Sequence, residues 1–251
     1  MERVLVVGAT GNIGISVIIA ALRSKREVLA IVRNQAAAEK IYKHVGTKTG
    51  ITTVEGNVTS DDGVQKVVDR VKAGTLPSFQ HVYAAVGVFN ARSPLYEVDL
   101  SYYRETMKIN AECAFSAYRA TIPHLLEQGH PTSTWTLVTG GAGTQGTAGA
   151  TAVSQGALFS LAAVACRELK QTNVRFNEAY LDYRVEYDAE CEGEANAWKL
   201  KASDYAKVYE QILAREDIKG CRVTVESPKD LEKLRYQPKL AGLNTANAWG
   251  Q

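Results

Sequence analysis

Seven short apolar runs alternate with six amphipathic stretches along this chain, and no other feature limits its possible folds so strongly. The strand-like runs cover residues 3–7, 27–32, 51–54, 81–85, 135–139, 174–180 and 221–225. The helix-like stretches cover residues 12–24, 35–45, 61–72, 101–128, 150–171 and 203–215. Strands that alternate with helices predict a parallel sheet covered on both faces. Right-handed crossovers then make an α/β, doubly wound (Rossmann) sheet of seven parallel strands the economical topology. With 251 residues the chain suits one such domain over 1–251. Residues 182–202 escape the alternation and read as a small lid over the substrate side. The polar stretch from about 228 reads as an arm or frayed end.

Charge narrows the partners. Lys and Arg number 29 against 27 acidic residues, for a net charge of +2. That balance lacks the basic surface of a nucleic-acid binder. The longest apolar runs, 17–22 and 157–166, fall short of the ~20 residues that span a bilayer. No signal-like segment precedes the first strand, and the expectation is a cytoplasmic protein acting on a small molecule. Cys113, Cys166, Cys191 and Cys221 are widely spaced, which fits free thiols in a reducing compartment. The histidines show no metal-ligand spacing.

The first strand runs straight into Gly8-Ala9-Thr10-Gly11-Asn12-Ile13-Gly14, and a helix follows. Glycines permit a tight turn and let a pyrophosphate approach the backbone. The helix N-terminus offers free amides and the positive end of its dipole to that anion. The alternative is a turn that only packs the helix on the sheet. The second strand ends at Arg33-Asn34, where an NAD site usually carries Asp or Glu. A guanidinium there suits a 2′-phosphate, which favours NADP(H). Stacking of Arg33 on the adenine is the other reading.

The chain resembles the short-chain dehydrogenase/reductase family over roughly residues 3–225. The resemblance rests on the glycine turn, Gly56-Asn57-Val58-Thr59, Ala84-Ala85-Val86-Gly87, Lys108-Ile109-Asn110, 120–123, 137–143, 152–158 and 174–177. It implies cofactor contacts at Gly8, Thr10, Gly11, Asn12, Ile13, Gly14, Arg33, Asn34, Asn57, Val58, Ala84, Ala85, Gly87, Thr139, Gln155 and Leu181. It also implies a homodimer or homotetramer through helices five and six, whose 157–165 run is apolar all round.

Family members carry out their chemistry with a Ser after strand five, a Tyr, and a Lys four residues beyond that Tyr. Gly140, Thr151 and Gln155 stand at those positions, and only Asn110 of the family's tetrad is kept. None of the 12 tyrosines has Lys four residues downstream. A Thr hydroxyl does not ionise near neutrality, and Gln carries no charge to lower a pKa. The usual proton route, typically worth 10²–10⁴-fold, is therefore missing. Asp182 follows strand six, where the family has Pro-Gly, and it can serve a protonated C=N substrate or move a proton. Its alternative role is an N-cap or a loop salt bridge to Arg184. Tyr180 and Arg184 flank it and complete the candidate catalytic set of Asp182, Asn110, Tyr180 and Arg184. Two functions follow. One is an NADP(H)-dependent oxidoreductase acting on an activated C=N or C=C bond or assisting a rearrangement. The other is a catalytically inactive NADP(H)-binding sensor.

Overall fold

The computed structural model describes residues 1–92 and 94–242. Its strands are β1 (Arg3–Val7), β2 (Glu27–Val32), β3 (Ile51–Glu55), β4 (His81–Ala84), β5 (Thr134–Gly140), β6 (Arg175–Leu181), β7 (Val185–Glu186), β8 (Leu200–Lys201), β9 (Cys221–Val225) and β10 (Arg235–Pro238). Its α-helices are α1 (Asn12–Arg23), α2 (Gln35–Val45), α3 (Gly63–Lys72), α4 (Leu100–Met107), α5 (Cys113–Gln128), α6 (Ala142–Gln145), α7 (Ala150–Glu168) and α8 (Ala202–Ala214). A π-helical turn, Lys108–Glu112, joins α4 to α5 inside the single helix expected over 101–128.

The main sheet runs β10-β9-β6-β5-β4-β1-β2-β3. From β1 the chain winds outward to β2 and β3, then returns to β4 and winds the other way. Reversal between β1 and β4 opens a crevice at the C-terminal ends of these strands, the usual ligand position in such sheets. Alternation within β1 feeds two cores. Val4 and Val6 face Ile15, Ile18, Tyr205 and Tyr209 of α1 and α8, whereas Leu5 and Val7 face the side of α3, α5 and α7.

The sheet has eight strands, not seven, and the added one breaks the all-parallel expectation. β10 pairs antiparallel with β9, Arg235 opposite Thr224 and Pro238 opposite Cys221. The polar stretch from 228 is thus not a frayed end as far as residue 242. A capping box of Ser227 and Asp230 opens a 3-10 turn at Pro228–Leu231. Tyr236 then donates to Asp217 at 2.6 Å. An edge strand needs only main-chain partners on one side, so this segment, Arg-Tyr-Gln-Pro, carries no apolar signature.

Candidate functional site

The glycine turn shows three different demands on its glycines. Gly8 has φ +93°, and a Cβ there would lie 2.7 Å from the Ala85 backbone of β4's exit. A Cβ on Gly14 would lie 2.2 Å from the Gly8 carbonyl oxygen, so α1 closes on β1 only without a side chain. Gly11 is different. Its φ of −80° suits any residue, and a Cβ would meet only the Gly8 oxygen at 3.7 Å. The fold does not require a glycine at 11, yet a ligand approaching the α1 N-terminus would. No side chain caps that N-terminus. The first amides of α1 therefore lack intrahelical acceptors.

At the crevice a cavity of about 630 Å³ opens, lined mainly by apolar groups such as Ile13, Val88, Phe89, Leu158 and Trp198. Its ionisable lining residues are Asp182, Tyr183 and Arg184, and no lysine is among them. Asp182 projects from the end of β6. Its amide donates to the Val225 carbonyl at 2.8 Å, and its carboxylate accepts from Gln145 at 2.6 Å. A Cβ on Gly141 would collide with that carboxylate, so the bare backbone of Gly141 makes its position possible. Arg184 pairs with Glu186 at 2.5 Å, which disposes of the loop salt bridge weighed for Asp182.

The other predicted residues fall into place with unequal roles. Asn110 lies in the π-turn, a feature frequent at functional sites. It accepts from the Val88 amide at 2.7 Å and donates to Ser154 at 2.8 Å, fastening the 86–90 loop to α7. The Thr151 hydroxyl has its one proton committed, donating to the Asn90 carbonyl while accepting from the Asn90 amide. Gln155 accepts from the Gly140 amide at 2.7 Å. Thr139 lines the cavity but donates its hydroxyl to the buried Glu178. Ala85, Gly87 and Leu181 line the cavity, while Ala84 is buried beneath. Arg33 and Asn57 are exposed at the ends of β2 and β3. Val58 packs partly into the core beside Asn57. Asn34 uses its side chain to cap α2 at Ala37, and Asn57 folds its own onto Thr59.

Tyr180 departs from expectation. Strand alternation turns it away from the cavity, so it lies beneath the Arg222 guanidinium, 4.8 Å from the ring centroid, and lines a separate polar pocket with Arg235 and Tyr236. Residues 182–202 do extend beside the cavity, but they also close back on the glycine turn. Asn12 donates to the Val185 carbonyl at 3.0 Å and to the Glu186 carboxylate. The Tyr187 hydroxyl donates to the Thr10 carbonyl at 2.6 Å. Strands β7 and β8 pair across this segment. Sequence reading missed Gly141, Gln145, Glu186 and Tyr187. Their partners lie up to 177 residues away, so no local pattern marks them.

A family model for short chain dehydrogenases matches residues 2–183. The short-chain dehydrogenase/reductase iacG of Pestalotiopsis fici is 50% identical over 240 residues, covering 95% of this chain and 96% of that protein. This chain belongs to the short-chain dehydrogenase/reductase family. Solved structures share the fold. A short chain dehydrogenase from Shigella flexneri complexed with NADP superimposes with a TM-score of 0.72 at 19% identity, over 84% of this chain and 90% of that one. ElxO with NADP bound gives 0.73 at 16%, over 87% and 93%. The family is one of oxidoreductases. Among the described residues no helix is long and apolar enough to cross a membrane, and no cluster of His, Cys, Asp or Glu suits a metal.

Proposed function

We propose that this chain is an NADP(H)-dependent reductase of a small, largely apolar molecule, with an active site that works without the family's Ser, Tyr and Lys. The observation that carries the reading is the pairing of an approachable glycine turn with a cavity whose ionisable lining is Asp182, Tyr183 and Arg184. The turn fits a dinucleotide because Gly11 leaves its backbone open where the fold makes no such demand. Gly8, Thr10, Gly11, Asn12, Ile13 and Gly14 form the diphosphate cradle, and exposed Arg33 reaches the 2′-phosphate. Asn34, Asn57 and Val58 border the adenosine. Ala84, Ala85, Gly87, Thr139, Gln155 and Leu181 border the nicotinamide.

The cofactor supplies hydride. The chain must supply the rest, and Thr151 and Gln155 are already committed to Asn90 and Gly140. Asp182 is the carboxylate at the cavity wall, held by Gln145. It stabilises a protonated C=N bond, or carries a proton to an electron-poor C=C bond. The apolar lining expels water and strengthens that interaction. Asn110 positions the loop at Val88. Exposed Phe115, Leu126, Val153 and Val164 on α5 and α7 support a homodimer or homotetramer through those helices.

Titration of NADPH fluorescence, followed by single-turnover hydride transfer to cyclic iminium and enone compounds, tests the reading. NADPH should bind saturably and more tightly than NADH, and Arg33→Ala should remove that preference. Asp182→Ala should slow hydride transfer about 100-fold, within the usual range for acid–base groups. Thr151→Ala should leave it unchanged. No saturable NADPH binding, or equal rates in the two variants, overturns it. One observation favours the sensor reading: the segment at Glu186 rests on the turn itself. Tight binding with no turnover of any compound is the result that selects it.

A further inference from the structure

Glu186 is a buried carboxylate, 6% exposed, with its negative charge against the first turn of α1. Asn12 donates to it from the glycine turn, and Arg184 clamps it from the cavity side. An anion thus already sits where that turn would meet a phosphate. The contact is reinforced next door. Tyr187 donates to the Thr10 carbonyl, stacks on His44 with ring centroids 3.9 Å apart, and lies under the Lys40 ammonium. Two negative groups cannot share one small cradle without strong repulsion.

We propose that Glu186 is an internal rival of the dinucleotide's diphosphate, and that Arg184 is the residue exchanged between them. The proposal rests on the dinucleotide reading above. With the cradle free, Arg184 and Asn12 hold the carboxylate. When a diphosphate arrives it takes the place of Glu186 at the turn. Strand β7 then shifts, Tyr187 releases Thr10, and the Arg184 guanidinium keeps an anionic partner by turning to the phosphate. Arg184 suits this exchange. Its side chain is 53% exposed, it lines the cavity, and it already reaches the carboxylate on the turn. Because 182–202 also carries Asp182 and Trp198, dinucleotide binding and the shape of the substrate cavity become one equilibrium. The affinity seen in solution is the intrinsic affinity reduced by the fraction of molecules with Glu186 out.

The test compares wild type, Glu186→Gln and Glu186→Gln/Arg184→Gln. NADPH is titrated by fluorescence, and adenosine 2′-monophosphate, which has no diphosphate, by calorimetry. Glu186→Gln keeps the shape and one of the two acceptor oxygens but removes the charge, and it should bind NADPH about tenfold tighter. Adenosine 2′-monophosphate should bind the three proteins alike. Adding Arg184→Gln to the neutral background should weaken NADPH about tenfold, the usual worth of one charge-assisted hydrogen bond. Arg184 is largely exposed, so that variant does not threaten folding. Unchanged or weaker NADPH binding by Glu186→Gln overturns the rivalry while leaving the dinucleotide reading intact. So does a change of equal size for adenosine 2′-monophosphate. Failure of every protein to bind NADPH overturns the dinucleotide reading and the rivalry with it.

Discussion

The two ends of the central sheet use the same chemical groups to opposite effect. At the N-terminal end, Glu2 accepts from Thr132 at 2.5 Å and Arg26 at 2.7 Å and lies 3.2 Å from His81, which also meets Thr134 at 3.1 Å. Each of these five groups faces another protein group, and none of them lines the cavity at the opposite end. At the C-terminal end, Asp182 has one side-chain partner and an open space before it. A satisfied network contributes stability, whereas a carboxylate left with spare valences beside a cavity is available to a ligand. Polar residues alone therefore do not mark a site; their unspent bonding capacity does.

Gly14→Ala is the severest challenge to that contrast, because it lies at the open end yet should behave like the closed one. Its new methyl would press on the Gly8 carbonyl oxygen at 2.2 Å, and both are backbone on packed elements. A loss of about 3 kcal/mol is expected from such overpacking. Urea denaturation measures it, and a native-like midpoint would show that the turn is not clamped. Glu2→Ala comes next. It removes the one carboxylate shared by the fully buried His81, Arg26 and Thr132, leaving His81 with Thr134 and Arg26 alone, at a cost of about 2 kcal/mol. NADPH affinity should not change; if it does, the two ends are coupled and the contrast is false.

Acidification probes the closed end more gently. Burial pushes the His81 pKa down to about 4 against the pull of Glu2, so the folded state resists a proton that the unfolded chain accepts near pH 6.5. Stability should fall as pH drops from 6.5 toward 4. Burial alone would raise the Glu2 carboxyl, but its bonds from Thr132 and His81 and the charge of Arg26 hold it at about 2. Below its unfolded value of about 4.5 a second loss begins, continuing toward 2. Urea midpoints at pH 7.5, 5 and 3.5 should decline in that order. Glu2→Ala should shrink the second step, to which Asp217 and Asp230, also held at about 2, still contribute. It should deepen the first, because Glu2 holds the His81 pKa up.

The sequence was legible where apolar runs are unbroken. β1 and β2 begin and end at the expected residues because strands buried on both faces are nearly continuous apolar runs, and β9 does so because its buried Cys221, Val223 and Val225 alternate with half-buried Arg222 and Thr224. β10 was not legible, since Arg235-Tyr236-Gln237-Pro238 is fixed by β9 and Asp217 rather than by burial. At the site, the residues of the turn could be read, because glycine spacing states a backbone need. Tyr180 was misread because a period of two puts it on the same side as Asp182, whereas β6 ends at Leu181 and the alternation stops there; within the strand Leu181 faces the cavity and Tyr180 faces away. Glu186 and Tyr187 could not be read at all, because their partners Asn12 and Thr10 lie at the other end of the chain.

Gly11→Ala has the smallest expected effect on the fold and draws the contrast most finely, within a single turn. The backbone at Gly11 has φ −80°, which alanine adopts freely, and the new methyl would meet the Gly8 oxygen at an ordinary 3.7 Å. Losing glycine stiffens the unfolded chain and stabilises by about 0.4–1 kcal/mol. Alanine is a poorer N-cap than glycine, which takes back a similar amount. The melting temperature should therefore hardly move. NADPH binding should weaken about tenfold, as the methyl stands over the amides that a diphosphate must approach, and a tenfold change corresponds to about 1.4 kcal/mol. Gly14→Ala and Gly11→Ala thus separate what the fold needs from what the ligand needs. If Gly11→Ala melts as early as Gly14→Ala and binds NADPH as well as wild type, then both glycines serve packing, and the open end owes its motif to the fold alone.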